Sequence, residues 1–142
     1  MPTPDNHNAM PAQSGSLHDS ALLAARILIA ALLIIAAFNK FQAFAGIVAY
    51  FGKLGLPVPA ITLPVVLVFE TLAGLALIAG FQTRIAALAA GLFIIAAGLI
   101  AHNNFGDVNQ LNHFLKNVGL LGGCLALFVA GAGRYSIDGR NG

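Results

Sequence analysis

Residues 63–101 read LPVVLVFETLAGLALIAGFQTRIAALAAGLFIIAAGLIA, two long apolar runs joined by a short turn. A hydrocarbon core of roughly 30 Å needs about 20 helical residues, with roughly 17 as the lower limit, and each run (63–79 and 85–101) reaches that limit. Backbone groups in lipid must pair within their own segment or close into a barrel, and neither run alternates polar with apolar residues as a barrel strand would. Both are therefore expected to be helices. Gly80, Gln82 and Thr83 make the tight connection between them, which sets the two spans as an antiparallel hairpin.

Two more apolar stretches flank this hairpin. One covers 21–38; the other covers 118–132 and reaches spanning length when Leu115, Lys116 and Asn117 begin it. The expected architecture is an all-α integral membrane four-helix bundle with spans at about 21–38, 63–79, 85–101 and 115–132. Composition agrees, because 58% of residues are hydrophobic and 8% are charged, against about 25% charged in soluble domains. A soluble fold of this composition would expose apolar patches that drive association. Lipid is the natural solvent. The formal charge of +2 comes from seven scattered bases against five acids. With no basic stripe to track a phosphate backbone, nucleic acid is not an expected partner. Cys124 is the single cysteine, which excludes an internal disulfide, a CxxC pair and a thiolate metal cluster.

The first twenty residues, MPTPDNHNAMPAQSGSLHDS, hold neither Lys nor Arg. They read as a disordered polar tail followed by an uncleaved first span, with Asp19 and Ser20 as its helix caps. Residues 135–142 read as a short polar C-terminal tail. In the longest connection, 39–62, Phe41, Phe44, Val48 and Phe51 recur every three to four residues. This predicts an amphipathic helix between spans one and two, lying at the membrane surface or capping the bundle, and stopped by Gly55, Pro57 and Pro59. Four crossings put both termini on one side. Arg84, Arg134 and Arg140 share that side, with Arg26 just inside, against Lys40 and Lys53 opposite, with Lys116 just inside. The positive-inside rule favours cytoplasmic termini.

Charges inside the spans are the functional candidates. Glu70 sits near the middle of the second span, where a charge costs at least about 2.5–3.5 kcal/mol and therefore needs a partner or a purpose. Its neighbours Ala73 and Gly74 are small, which turns that face toward other helices. Arg26 shares a helix face with Ala30, Leu33, Ala37 and Lys40. An ion pair between Arg26 and Glu70 is one expectation; snorkelling of Arg26 to the headgroups is the other. Lys116 lies on a stripe with Gly119, Gly123 and Ala130, which includes a GxxxG step and is expected to pack inside the bundle. His102 shares a stripe with Gly91 and Gly98 and should also face inward. The alternating helix directions bring Asn39, Lys40, His102, Lys116 and Asn117 to one membrane surface. With Glu70 deeper, they are expected to line a polar pocket opening there. Asp107 and His113, in the connection HNNFGDVNQLNH, stand near its mouth as loop residues. The spacing of His102, Asp107 and His113 matches no strong metal-ligand pattern, and no metal is expected.

These segments together resemble the DoxX family of small bacterial membrane proteins. The resemblance rests on FNKF at the end of the Arg26 helix, GKLGLPVP, FETLAGLALIAGFQTRIAAL around Glu70, the His102 helix end, FLKN before the fourth span and GAGRYSID at its close. It runs from about Leu22 to Asp138. It implies a four-helix bundle in the bacterial inner membrane and, by analogy with relatives tied to thiosulfate:quinone oxidoreduction, a place in a redox or quinone-linked system. The chain has no second cysteine, haem-attachment motif or dinucleotide fingerprint. Electron transfer would thus need a bound quinone or a partner protein, and the residues leave open whether the chain is itself an enzyme. Two readings from other classes stand beside this one. One is a small proton or anion transporter with Glu70 as relay, for which four helices leave little room without homo-oligomerisation. The other is a structural or assembly subunit in which buried charges set helix register.

Overall fold

The computed structural model describes residues 13–140. Five α-helices follow one another: α1 (Gln13–Gln42), α2 (Phe44–Lys53), α3 (Pro59–Ala79), α4 (Thr83–Ala101) and α5 (Val108–Ala130), with a single 3-10 turn at Asp138–Arg140. α1, α3, α4 and α5 are each long and apolar enough to cross a membrane. α2 is the short amphipathic helix expected in the first connection; it turns Phe51 inward and leaves Tyr50 half-exposed. α1 packs along α3 and α4 along α5, and the two pairs join through α3 with α4 and α1 with α5.

Local chemistry sets the helix ends. Pro59 takes the first turn of α3, where its missing N–H costs nothing. Gly80 ends α3 in the left-handed conformation at φ +64, and the Phe81 N–H closes back on the Ala76 carbonyl. A Cβ on Gly80 would collide with Arg26 Nη1 and Ser136 Cβ, so this turn also needs glycine for space. Asp107 caps α5 by accepting hydrogen bonds from the N–H groups of Asn109 (2.7 Å) and Gln110 (3.3 Å).

Small and branched residues from all four spans meet in the core, where Ala30, Leu33, Leu77, Ala87, Ala90, Cys124 and Leu127 are fully buried. Gly74 packs against Ile34 and Ala30, and Gly91 against Cys124 and Leu121. Close approach of backbones through such residues is how helices associate in lipid. The outward faces carry large exposed apolar side chains, among them Leu28, Val65, Leu72, Ile85 and Val129. In water that surface would drive aggregation; in a bilayer it is solvated.

Two helix starts differ from the sequence reading. α1 starts at Gln13, so residues 13–20 are its first two turns and not part of a tail; residues 1–12 of the expected tail lie outside the described residues. Asp19 and Ser20 are consequently not caps. Asp19 is buried and accepts a hydrogen bond from the Arg134 N–H at 3.0 Å, tying the start of α1 to the chain after α5. α5 starts at Val108, seven residues before the expected position, because Asp107 supplies the cap and Asn109, Gln110 and Asn112 can face water from a helix as readily as from a loop.

Candidate functional site

Lys40, in the last turn of α1, and Glu70, in the middle of α3, form a salt bridge of 2.6 Å between Nζ and Oε1. Glu70 is 3% exposed and Lys40 24%. The expected Arg26–Glu70 pair is not formed, and helix geometry explains why. Gly74 packs between Ala30 and Ile34, so Glu70, one turn earlier on α3, lies level with about Ile34 to Ala37. Lys40 then stands roughly 5–9 Å and Arg26 roughly 12–16 Å away along α1, on opposite sides, at about 1.5 Å per residue. Each Cα–Cβ bond tilts toward its helix N-terminus, so Lys40 leans toward Glu70 and Arg26 leans away from it.

Above this pair lies a cavity of about 340 Å³, lined by Lys40, Ile47, Tyr50, Phe51, Leu54, Leu56, Thr62, Val66, Glu70, Phe93, Ala96, Ala97, Ile100 and Ala101. Its walls come from α1, α2, the α2–α3 connection, α3 and α4. Apart from Lys40, Glu70, Tyr50 and Thr62 they are apolar, and the Thr62 hydroxyl is already committed to the Pro57 carbonyl. Phe93 holds one wall by packing on Phe69 at 4.8 Å between ring centroids. The second carboxylate oxygen of Glu70, Oε2, is buried without a hydrogen-bond partner. A buried acceptor without a donor costs about 1–3 kcal/mol, more when charged. The site therefore offers an apolar chamber, an ammonium with donors to spare, and one unsatisfied carboxylate oxygen.

The other sequence candidates do not join it. Asn39 is exposed. His102 faces α5, where its Nδ1 is 2.7 Å from Gln110 Oε1 and its ring stacks on His113 at 4.9 Å. His113 is thus a helix residue and not a loop residue, and Asp107 is drawn to the α5 cap. Asn117 packs on Gly98. Lys116 is exposed, contrary to the GxxxG reading: a Cβ on Gly119 would meet nothing within 4 Å, and one on Gly123 would meet only Ile29, at 3.7 Å. α5 turns Cys124 and Leu127 inward, and Lys116 sits about 80° round the helix from Cys124 at 3.6 residues per turn. The polar surface expected at this end is therefore divided: Lys40 and Glu70 below the cavity, His102 with Gln110 and His113 between α4 and α5, and Lys116 and Asn39 outside.

Arg26 belongs to a second cluster at the terminus side. It is fully buried and donates from Nη1 to the Leu77 carbonyl (3.2 Å) and from Nη2 to the Tyr135 carbonyl. The last carbonyls of a helix have no partner within it; Leu77 O accepts from the Gly80 N–H at 3.3 Å, and the buried cation adds a second donor there. The segment after α5 completes the arrangement, because Asp138 accepts from the N–H groups of Gln82 (2.9 Å) and Thr83 (2.8 Å) at the start of α4. Burial pushes the Asp138 carboxyl up, but hydrogen bonds from Thr83 and Gln82 and the charge of Arg26 outweigh it and hold the group below its ordinary value. Arg84 binds the α5 end through the Phe128 and Val129 carbonyls. A larger cleft of about 530 Å³ lies here; of its polar lining, Asp138 is engaged with the start of α4 and Arg84 with the end of α5, while Thr83 Oγ1 is buried without a partner. Residues 135–140, expected within a tail, perform this role instead. The usable signal was GAGRYSID, a glycine-bracketed segment ending in an acid.

Residues 21–103 match the sequence profile of the DoxX family. The chain is 41% identical over 123 residues to inner membrane protein YqjF of Escherichia coli (strain K12), covering 86% of this chain and 92% of that protein. It is 33% identical over 132 residues to inner membrane protein YphA of the same organism, covering 89% and 94%. No solved structure gives a significant match. With four apolar spans and relatives of this kind, the protein is a multi-pass inner-membrane protein, and the chain belongs to the DoxX family.

Proposed function

We propose that the protein binds a small, largely apolar ring compound in the cavity above Lys40 and Glu70, as a component of a quinone-linked redox system in the inner membrane. The observation that carries this reading is the combination of an apolar chamber with a buried ion pair at its inner end, one of whose oxygens has no partner. Ligand sites are mostly apolar with a few placed polar groups, and about 300–1,000 Å³ is their usual range. At about 340 Å³ the chamber suits a ring-sized head, with any long tail left in the bilayer. A quinone fits this donor set: Lys40 would hold a ring carbonyl, and the aromatic and aliphatic walls would exclude water. The quinone, when bound, supplies the electron-carrying chemistry; the chain's own residues bind and orient it.

A relay across the membrane is less well supported. Between the level of Glu70 and that of Arg26 the bundle is filled by apolar side chains, including Leu33, Leu77, Ala87 and Ala90. The test is calorimetric titration of the detergent-solubilised protein with a short-chain benzoquinone. Saturable binding is expected, and Ala97→Phe, which fills the chamber without touching the ion pair, should abolish it. Non-saturable uptake, or equal binding by the filled variant, would refute the proposal.

A further inference from the structure

The unpartnered oxygen says which form of ligand the chamber prefers. Lys40 Nζ already donates to Glu70 Oε1, so the pair arrives with one acceptor unsatisfied, Oε2, and with further N–H donors on a lysine that is a quarter exposed. Of the other polar residues lining the chamber, the Thr62 hydroxyl is committed to Pro57 and the Tyr50 hydroxyl does not donate to Oε2. The terminal torsion of a glutamate side chain is broad, so a small rotation can present the free oxygen to the chamber without leaving a rotamer well.

A ring carbonyl can only accept. It satisfies Lys40 but leaves Oε2 buried and unpaired. A ring hydroxyl donates to Oε2 and accepts from Lys40 at once. We infer that the Lys40–Glu70 pair makes this chamber selective for a ligand whose head carries a hydroxyl donor, so that a hydroquinone or alkylphenol binds more tightly than the corresponding quinone, with Glu70 as the specificity-determining residue. This rests on the ligand-binding reading above and sharpens it. A site with an unpaired buried acceptor discriminates strongly against a ligand that cannot fill it, and the expected preference is about ten- to a hundredfold.

Glu70→Gln changes the sign of the effect. The amide keeps an oxygen for Lys40 and places an NH₂ donor where Oε2 stood, which favours a carbonyl over a hydroxyl. The experiment titrates the full chain in detergent with three probes of nearly equal shape: a short-chain alkyl hydroquinone, its benzoquinone, and its dimethyl ether, which has no donor. Wild-type protein should bind the hydroquinone at least about tenfold more tightly than either of the others, and Glu70→Gln should lose or reverse that order. Equal affinity for the hydroquinone and the benzoquinone in wild-type protein would overturn the inference while leaving the ligand site standing. Absence of binding by all three would overturn the site and the inference together. The dimethyl ether comparison needs only wild-type protein, so the outcome does not depend on the variant folding.

Discussion

Removing Lys40 and removing Glu70 should have unequal effects on stability. Glu70 is 3% exposed while Lys40 keeps a quarter of its side chain in contact with the exterior. In Lys40→Met the carboxylate stays buried with no cation, and stranding one member of a buried pair costs about 3–5 kcal/mol; the partial exposure of Lys40 places the expected loss near 3 kcal/mol. In Glu70→Leu the freed lysine lies at the end of α1 and can swing its ammonium outward. The loss should then be about 1 kcal/mol or less, as for an exposed pair. The double variant leaves neither charge buried and should fall within about 1 kcal/mol of wild type, because apolar replacement of a buried pair is often neutral. The cycle thus predicts about 2–3 kcal/mol of coupling, with most of the asymmetry on the lysine side. Titration with a denaturing detergent, followed by loss of helical circular dichroism, measures all four proteins. Additive losses, or equal losses in the two single variants, would refute the pairing and its geometry.

Two further outcomes follow from the terminus-side cluster. Arg26→Met removes the donors to the Leu77 and Tyr135 carbonyls and should cost about 3 kcal/mol, at about 1.5–3 kcal/mol for each charge-assisted bond less retained packing; hydrogen exchange should show residues 131–140 opening first, and unchanged protection there would contradict the clamp. Because the Asp138 carboxyl is held below its ordinary value in the folded protein, its contribution is full above the ordinary carboxylate pKa of about 3.9 and is lost as pH falls through the lower folded value. Asp138→Asn should remove that part of the acid dependence in a pH-resolved unfolding series, and an identical acid limb in both proteins would count against the assignment.

The spans were legible in the sequence because run length and hydropathy follow directly from bilayer thickness, and α2 was legible because Phe44, Val48 and Phe51 keep helical spacing. Helix starts were not. Ser, His, Asp and Asn serve in an exposed helical turn, a cap or a loop alike, so Gln13–Ser20 and Val108–Phe114 gave no local sign of which. The inward placement of Glu70 followed from Ala73 and Gly74, but its partner turned on side-chain direction. Arg26 and Lys40 share one face of α1, so the residue pattern alone does not choose between them; the level of Glu70 along α1 and the tilt of the Cβ atoms do. The Lys116 stripe misled because glycine spacing marks a face that can pack closely without saying what packs there; Gly91 and Gly98 of α4 meet α5, while Gly119 has open space. The role of residues 131–138 is a response to unpaired groups at the ends of α3, α4 and α5, which exist only once the bundle is assembled.

Native mass spectrometry of the protein released from a mild detergent, comparing wild type with Ala97→Phe, tests the ligand chamber most directly. Wild-type protein should carry a copurified apolar small molecule with a hydroxyl- or carbonyl-bearing ring, and the filled variant should be folded and carry none. The same bound species at equal occupancy in both proteins would place it on the lipid-facing surface and contradict a ligand chamber above Lys40 and Glu70.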